Sequence, residues 1–133
     1  MKKNKNYIDI NASISNRDKY FGIIYEGMCK SEQFQKLSRK AQIVYVLCRV
    51  HAHTQKCKAC LYNHAKEEGR TYGPDCFVFP DCQQDDYGEH DHSNFNKYMK
   101  QLINAGFIDL IENNKHRFKI NVYSFSSKWK SGC

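Results

Sequence analysis

Between Ser93 and Gly106 the chain places amide and ammonium side chains on one side of a helical period and apolar ones on the other. Phe95, Tyr98, Met99 and Leu102 recur at i, i+3, i+4 and i+7, the spacing of a buried helix face. With Phe95, Met99 and Leu102 turned inward, the opposite side presents Ser93, Asn96, Lys97, Lys100 and Asn104, flanked by Asn94 and Gln101. Asn and Gln amides can pair bidentately with an adenine edge in the major groove, and Lys can reach guanine or a phosphate. No acid lies between Ser93 and Gly106, so this face would not repel a phosphate backbone. A charged helix face is most often only a solvated surface. The basic segment on the C-terminal side of this helix sets it apart from that ordinary case.

After Gly106 the period changes from helical to alternating. Residues 107–112 (Phe-Ile-Asp-Leu-Ile-Glu) read as a strand, Asn113 to His116 as a turn, and Phe118, Ile120 and Val122 alternate with Lys119 and Asn121 as a second, half-buried strand. The resulting hairpin carries Lys115, His116, Arg117 and Lys119 at its tip and outward face, a cluster suited to phosphates or a minor groove. Charges on an exposed strand also discourage edge pairing, and both roles can hold together. Trp129, between Lys128 and Lys130, is expected to pack back on the domain rather than stack on a base.

Other chemistry is thinner. Cys57 and Cys60 have the two-residue spacing of a zinc knuckle, with Cys76, Cys82, His51, His53 and His64 as further donors. A site needs four converging ligands, and no second Cys-x-x-Cys is present, so no metal and no cofactor are expected. His90 and His92 flank Asp91 in a turn, where a solvated surface is the ordinary reading. There is no phosphate-binding Gly-rich loop, no His-Glu-x-x-His and no nucleophile elbow, so an enzyme is not expected.

Several elements must position the polar helix. Tyr20–Tyr25 is rich in aromatic and β-branched residues and reads as a strand. Ser31 opens a short polar helix that ends near Leu37. Ser38 is a good N-cap for a buried helix over residues 39–52, with Ala41, Val44, Tyr45, Cys48 and Ala52 on its apolar face. Residues 54–75 read as a polar connection with a helical turn or two around Ala59–Glu67, ended by Gly69. Phe77–Phe79 is a short strand; Pro80 opens a helix over residues 80–87, and Gly88 stops it. A tight connection then leads to a helix over residues 93–105. Residues 1–19 are expected to be a flexible basic arm, apart from a short extended piece at Tyr7–Ile10, and residues 20–133 a single domain.

Composition agrees with a nucleic-acid partner without requiring one. The 133 residues carry a formal charge of +7, and 41% are hydrophobic, enough for one modest core. Residues 1–65 hold twelve Lys or Arg against four acids, residues 66–91 two against eight, and residues 92–133 seven against two. An acidic segment thus separates two basic ones. It includes Asp81, Asp85 and Asp86, in the helix that would cross a DNA backbone, and Glu89 and Asp91 in the turn; acids there favour a protein partner instead. Seven cysteines, an odd number, with no apolar export signal, suit reduced thiols in the cytoplasm. No apolar run approaches a membrane span.

The run from Ser93 to Ile108, with its polar start, spaced lysines, Leu102 and the Gly106-Phe107-Ile108 ending, resembles the recognition helix and first wing strand of bacterial winged helix-turn-helix proteins. Met99 stands where an aliphatic residue is usual in that pattern. Leu37-Ser38-Arg39-Lys40-Ala41 resembles the start of the supporting helix of that family, and the resemblance covers residues 37–126. It is similar in particular to small winged-helix proteins of plasmids and conjugative elements of Gram-positive bacteria. The resemblance implies a mainly α fold with a small antiparallel β-wing. It also implies double-stranded DNA binding in transcription regulation, DNA replication or conjugative transfer, with a homodimer or a replication or transfer protein as candidate partners. The competing expectation is a protein–protein interaction adaptor on the same scaffold, zinc-stabilised in one version.

Overall fold

Ser38 has an extended backbone (φ −60°, ψ 152°), and its hydroxyl accepts the amide of Ala41 at 3.2 Å. That cap starts the central helix of the fold, as its sequence predicts. The structure is a computed structural model, and it describes residues 22–114, 117 and 119–132. The expected basic arm, the piece at Tyr7–Ile10, and Tyr20, Phe21, Lys115, His116 and Phe118 lie outside the described residues.

The helices in chain order are α1 (Glu26–Cys29), α2 (Glu32–Gln35), α3 (Arg39–His51), α4 (Gln55–Glu68), α5 (Asp81–Gln84, continued by a 3-10 turn Asp85–Tyr87) and α6 (His92–Asn104). The strands are β1 (Cys76–Phe77), β2 (Ile108–Glu112) and β3 (Val122–Phe125), and a 3-10 turn comes after them at Lys128–Gly132. The fold is mainly helical, and among the described residues the strands form one antiparallel sheet in the order β1-β3-β2.

α3 buries Ala41, Val44, Tyr45, Cys48 and His51, at i, i+3, i+4, i+7 and i+10, and packs on α6 through Phe95, Met99 and Leu102. The Cys48 thiol meets the Met99 sulfur at 3.6 Å in that contact. Full burial of such side chains is worth about 1.5–3 kcal/mol each, which fixes the rotation of α6 about its axis. Gly88, at φ 76°, stops the 3-10 turn after α5, while Pro80, expected as the first helical residue, is instead the N-cap, and α5 starts one position later at Asp81.

Three expectations need correction. Residues 22–25 form no strand. Gly22 instead packs against the α3 backbone, where a Cβ would lie 2.7 Å from the Arg49 carbonyl carbon, and Ile23, Ile24 and Tyr25 are exposed. A β-rich composition makes a strand only where a neighbouring strand is available, and among the described residues none flanks this segment. Residues 55–68 are a full helix rather than a connection with a turn or two. Thr54 caps it, accepting the Cys57 amide at 3.3 Å, and Gly69 ends it at φ 65°. Its buried stripe is narrow, Cys57 and His64 with Cys60 and Leu61 partly covered, so the polar average of the segment conceals it.

The second hairpin strand is also displaced, from the expected Phe118–Val122 to Val122–Phe125. The cause is Asn114, which is 2% exposed. Its amide donates to Asn121 Oδ1 at 2.7 Å, and its side-chain Nδ2 donates to the Ile120 carbonyl and to Glu112 Oε1, each at 2.7 Å. These bonds close the connection through a side chain where strand pairing was expected, and pairing resumes at Glu112↔Val122.

Candidate nucleic-acid interface

Helix α6 begins at His92, ahead of the serine that the sequence suggests as its start. Asp91 is the N-cap, accepting the Asn94 amide at 3.1 Å. From there Phe95, Met99 and Leu102 are all 2% exposed or less, and Ser93, Asn94, Asn96, Lys97, Lys100, Gln101 and Asn104 are all exposed. Gln101 is partly committed, since the Ser38 hydroxyl donates to its Oε1 at 2.8 Å and ties this side of α6 to the start of α3. Among the described residues, neither Lys97 nor Lys100 has a carboxylate within ion-pair distance. Most other cations of the described chain do.

The hairpin lies beside that face. Asn96 and Lys100 of α6 line one groove of about 750 Å³ together with Asn113, Lys119 and Asn121 of the hairpin connection. Its two described cations are paired with carboxylates. The guanidinium of Arg117 meets both carboxylate oxygens of Glu68, at 2.8 and 3.0 Å, and Lys119 lies 2.8 Å from Glu68 and 3.0 Å from Glu67. The last turn of α4 therefore neutralises the two described cations of the hairpin. Hydrogen bonds from Lys119 and Arg117 hold the Glu68 carboxyl below the usual glutamate range. Of the four hairpin residues expected at the tip and outward face, Arg117 and Lys119 are thus paired with α4, and Lys115 and His116 lie outside the described residues.

The acids expected to oppose DNA are also consumed within the fold. Asp85 accepts from His92 Nε2 at 2.7 Å and lies 3.1 Å from His90 Nδ1; Asp81 lies 3.3 Å from His92 Nδ1. Asp86 pairs with Lys56 at 2.7 Å, and Glu89 pairs with Lys40. Asp91 is the helix cap. The hydrogen bond to Asp85 raises His92 above the usual histidine value, and the same contact lowers Asp85. Charge that reads as repulsive along the chain is thus locally balanced in space.

Two polar residues that sequence spacing does not mark hold this arrangement. Glu112, at the end of β2, accepts from Asn114 and Tyr72, lies 2.9 Å from His64 Nε2 and pairs with Arg70. Burial alone would raise its carboxyl, but the bonds from Asn114, Tyr72 and His64 and the charge of Arg70 outweigh burial and bring it to about 2. Burial and the Glu112 carboxylate push the Tyr72 phenol up to about 12. This cluster joins α4, the segment after it and the hairpin. His51, 1% exposed, stacks on Phe79 at 4.1 Å, with Nε2 2.7 Å from Gln83 Oε1 and Nδ1 3.0 Å from the Tyr87 hydroxyl. Burial lowers its basicity, and the neutral ring joins α3 to α5. No periodic signal points to Glu112; the chain shows only a strand-end acid.

The thiols differ in exposure. Cys57 is buried and donates to the Val78 carbonyl at 3.4 Å, Cys60 and Cys76 are half-buried, and Cys82 is exposed. Burial pushes the Cys57 and Cys60 thiols up, away from the thiolate a metal needs. Among the described residues no three His, Cys, Asp or Glu side chains converge on a metal position, and no helix is long and apolar enough to cross a membrane.

Compared with protein-family models, curated proteins and solved structures, the chain has no significant match.

Proposed function

We propose that this chain is a winged helix-turn-helix protein that binds duplex DNA and carries out no catalysis. In this reading α3 is the supporting helix, α5 and α6 are the helix-turn-helix, and β2 and β3 are the wing, with β1 completing the sheet. The helix order and the β1-β3-β2 pairing agree with that architecture. α4 is an addition to it that braces the wing.

The observation that carries the reading is the outer face of α6. It holds Lys97 and Lys100 with no paired carboxylate among the described residues, amides from Asn96 and Asn104 beside them, and a groove shared with Lys119 and Asn121 of the hairpin. Lysines set on a rigid helix can take phosphates or guanine, and the amides can take adenine edges. The compensation of Asp81, Asp85, Asp86 and Glu89 weakens the competing view that an acidic helix docks on a protein partner. The cellular role in this reading is transcription regulation, or assistance to replication or conjugative transfer of a mobile element, in the cytoplasm.

The test is anisotropy of a labelled random-sequence duplex titrated with the protein at about 50 and about 200 mM salt. Saturable binding at the lower salt that weakens by an order of magnitude or more at the higher supports the reading. Absence of binding at the lower salt overturns it.

A further inference from the structure

A second groove, of about 750 Å³, opens between α4 and the segment 70–76, and it shares no lining residue with the groove beside α6. Its α4 wall is a stripe of Lys58, Tyr62 and Lys66, at i, i+4 and i+8 of one helix face. Tyr62 is 67% exposed, the most exposed large hydrophobic side chain of the described residues, and its ring stacks on no other described ring. Lys58 and Lys66 have no carboxylate partner among the described residues. The floor adds Arg49, held with its guanidinium 3.8 Å over the Phe125 ring and its Nε donating to the Tyr45 hydroxyl at 2.8 Å. Arg70 is fixed opposite, paired with Glu112 and lying over the Tyr72 ring at 5.3 Å. With Arg70 already neutralised by Glu112, Lys58, Lys66 and Arg49 face one lining carboxylate, Asp75.

We infer that this groove binds a nucleotide unit, its base stacked on Tyr62 and its phosphate held by the lysine one helical turn away, Lys58 or Lys66, either as a free nucleotide or within a single strand. One pre-set guanidinium, Arg49, and two ammoniums without a carboxylate partner among the described residues attract phosphate in one groove. An open ring between lysines, one helical turn from each, is the arrangement in which a base stacks while its backbone runs along the cations. An acidic peptide would satisfy the lysines and leave Tyr62 idle, which is why the nucleotide is preferred. The volume lies within the range of small-ligand sites. This site is independent of the α6 face, so either can fail alone.

The experiment uses the full chain carrying Lys97→Ala and Lys100→Ala, which removes the α6 lysines, and a fluorescein-labelled dodecathymidylate. Expected is saturable binding at about 50 mM salt. Adding Lys58→Ala with Lys66→Ala weakens it about tenfold or more, Tyr62→Ala weakens it roughly five- to a hundredfold, and Tyr62→Phe retains it. Competition by free dTMP, lost in the Tyr62→Ala variant, assigns the free nucleotide as a ligand; competition by unlabelled strand alone assigns the strand. Each variant is checked by thermal melting, and all three positions are exposed enough to leave the fold intact. Absence of binding to strand and nucleotide, indifference to Tyr62→Ala, or equal competition by a hexaglutamate peptide each overturns the assignment.

Discussion

His92 Nε2 lies 2.7 Å from Asp85 Oδ1, so the first residue of α6 is bonded to the turn that ends α5. The partnership favours the imidazolium, and Asp81 and Asp91 add to it. A histidine with a raised native pKa stabilises the fold fully below its unfolded value, and that contribution is lost as pH rises through the native value. An NMR titration should place His92 above 6.5, and Asp85→Asn should bring it back toward that figure. A His92 titrating below 6.5 in the wild-type protein would contradict the contact.

The salt links of the hairpin predict a gain of binding. Glu67→Gln with Glu68→Gln releases Arg117 and Lys119 while leaving the residues of α4 in place. Duplex affinity should rise about three- to tenfold, with a steeper salt dependence, because two more cations become available to phosphates. Stability should change little, since solvent screens these pairs. Titration of one duplex at several salt concentrations reads the effect.

Glu112 predicts the opposite kind of change. It is the shared acceptor for Asn114, Tyr72, His64 and Arg70, so Glu112→Ala leaves several donors without a partner. Denaturant melts should show a loss of about 2–4 kcal/mol. The native carboxyl titrates near 2 against an ordinary 4.5, so its contribution is present above 4.5 and disappears as pH falls toward 2. Wild-type stability should therefore fall over that window more steeply than that of Glu112→Gln.

Gly106 ends α6 at φ 86°, and a Cβ there would lie 2.8 Å from the Trp129 amide nitrogen. That amide donates to the Gly106 carbonyl at 3.1 Å, and the Trp129 ring stacks on Phe107 at 5.7 Å. Gly106→Ala thus combines backbone strain with a clash against backbone atoms, and should cost roughly 2–3 kcal/mol. A shift in Trp129 fluorescence should accompany the lower melting temperature.

Where the chain announces its own structure, it does so through local rules with few competitors. Ser38, Gly88 and Gly106 mark helix ends, and the Phe95, Met99, Leu102 spacing fixes which side of α6 is outward. What is illegible depends on partners distant in sequence. The strand reading of residues 20–25 fails over its described part, 22–25, with which no strand among the described residues pairs, and α4 is hidden because only Cys57 and His64 of its fourteen residues are buried. The hairpin shift turns on one buried amide, Asn114, whose partners lie up to seven residues away. The same holds for charge. Lys97 and Lys100 read correctly as exposed, but Arg117 and Lys119 find Glu67 and Glu68 across about fifty residues, and no window along the chain contains both.

The central claim is that α6 meets duplex DNA through Lys97 and Lys100. The most direct measurement is the slope of log affinity against log salt for the wild type and for Lys97→Ala/Lys100→Ala on one duplex. Weaker binding and a slope shallower by about two phosphate contacts are expected in the double variant, with an unchanged melting temperature. An identical affinity and slope in the two proteins would contradict it.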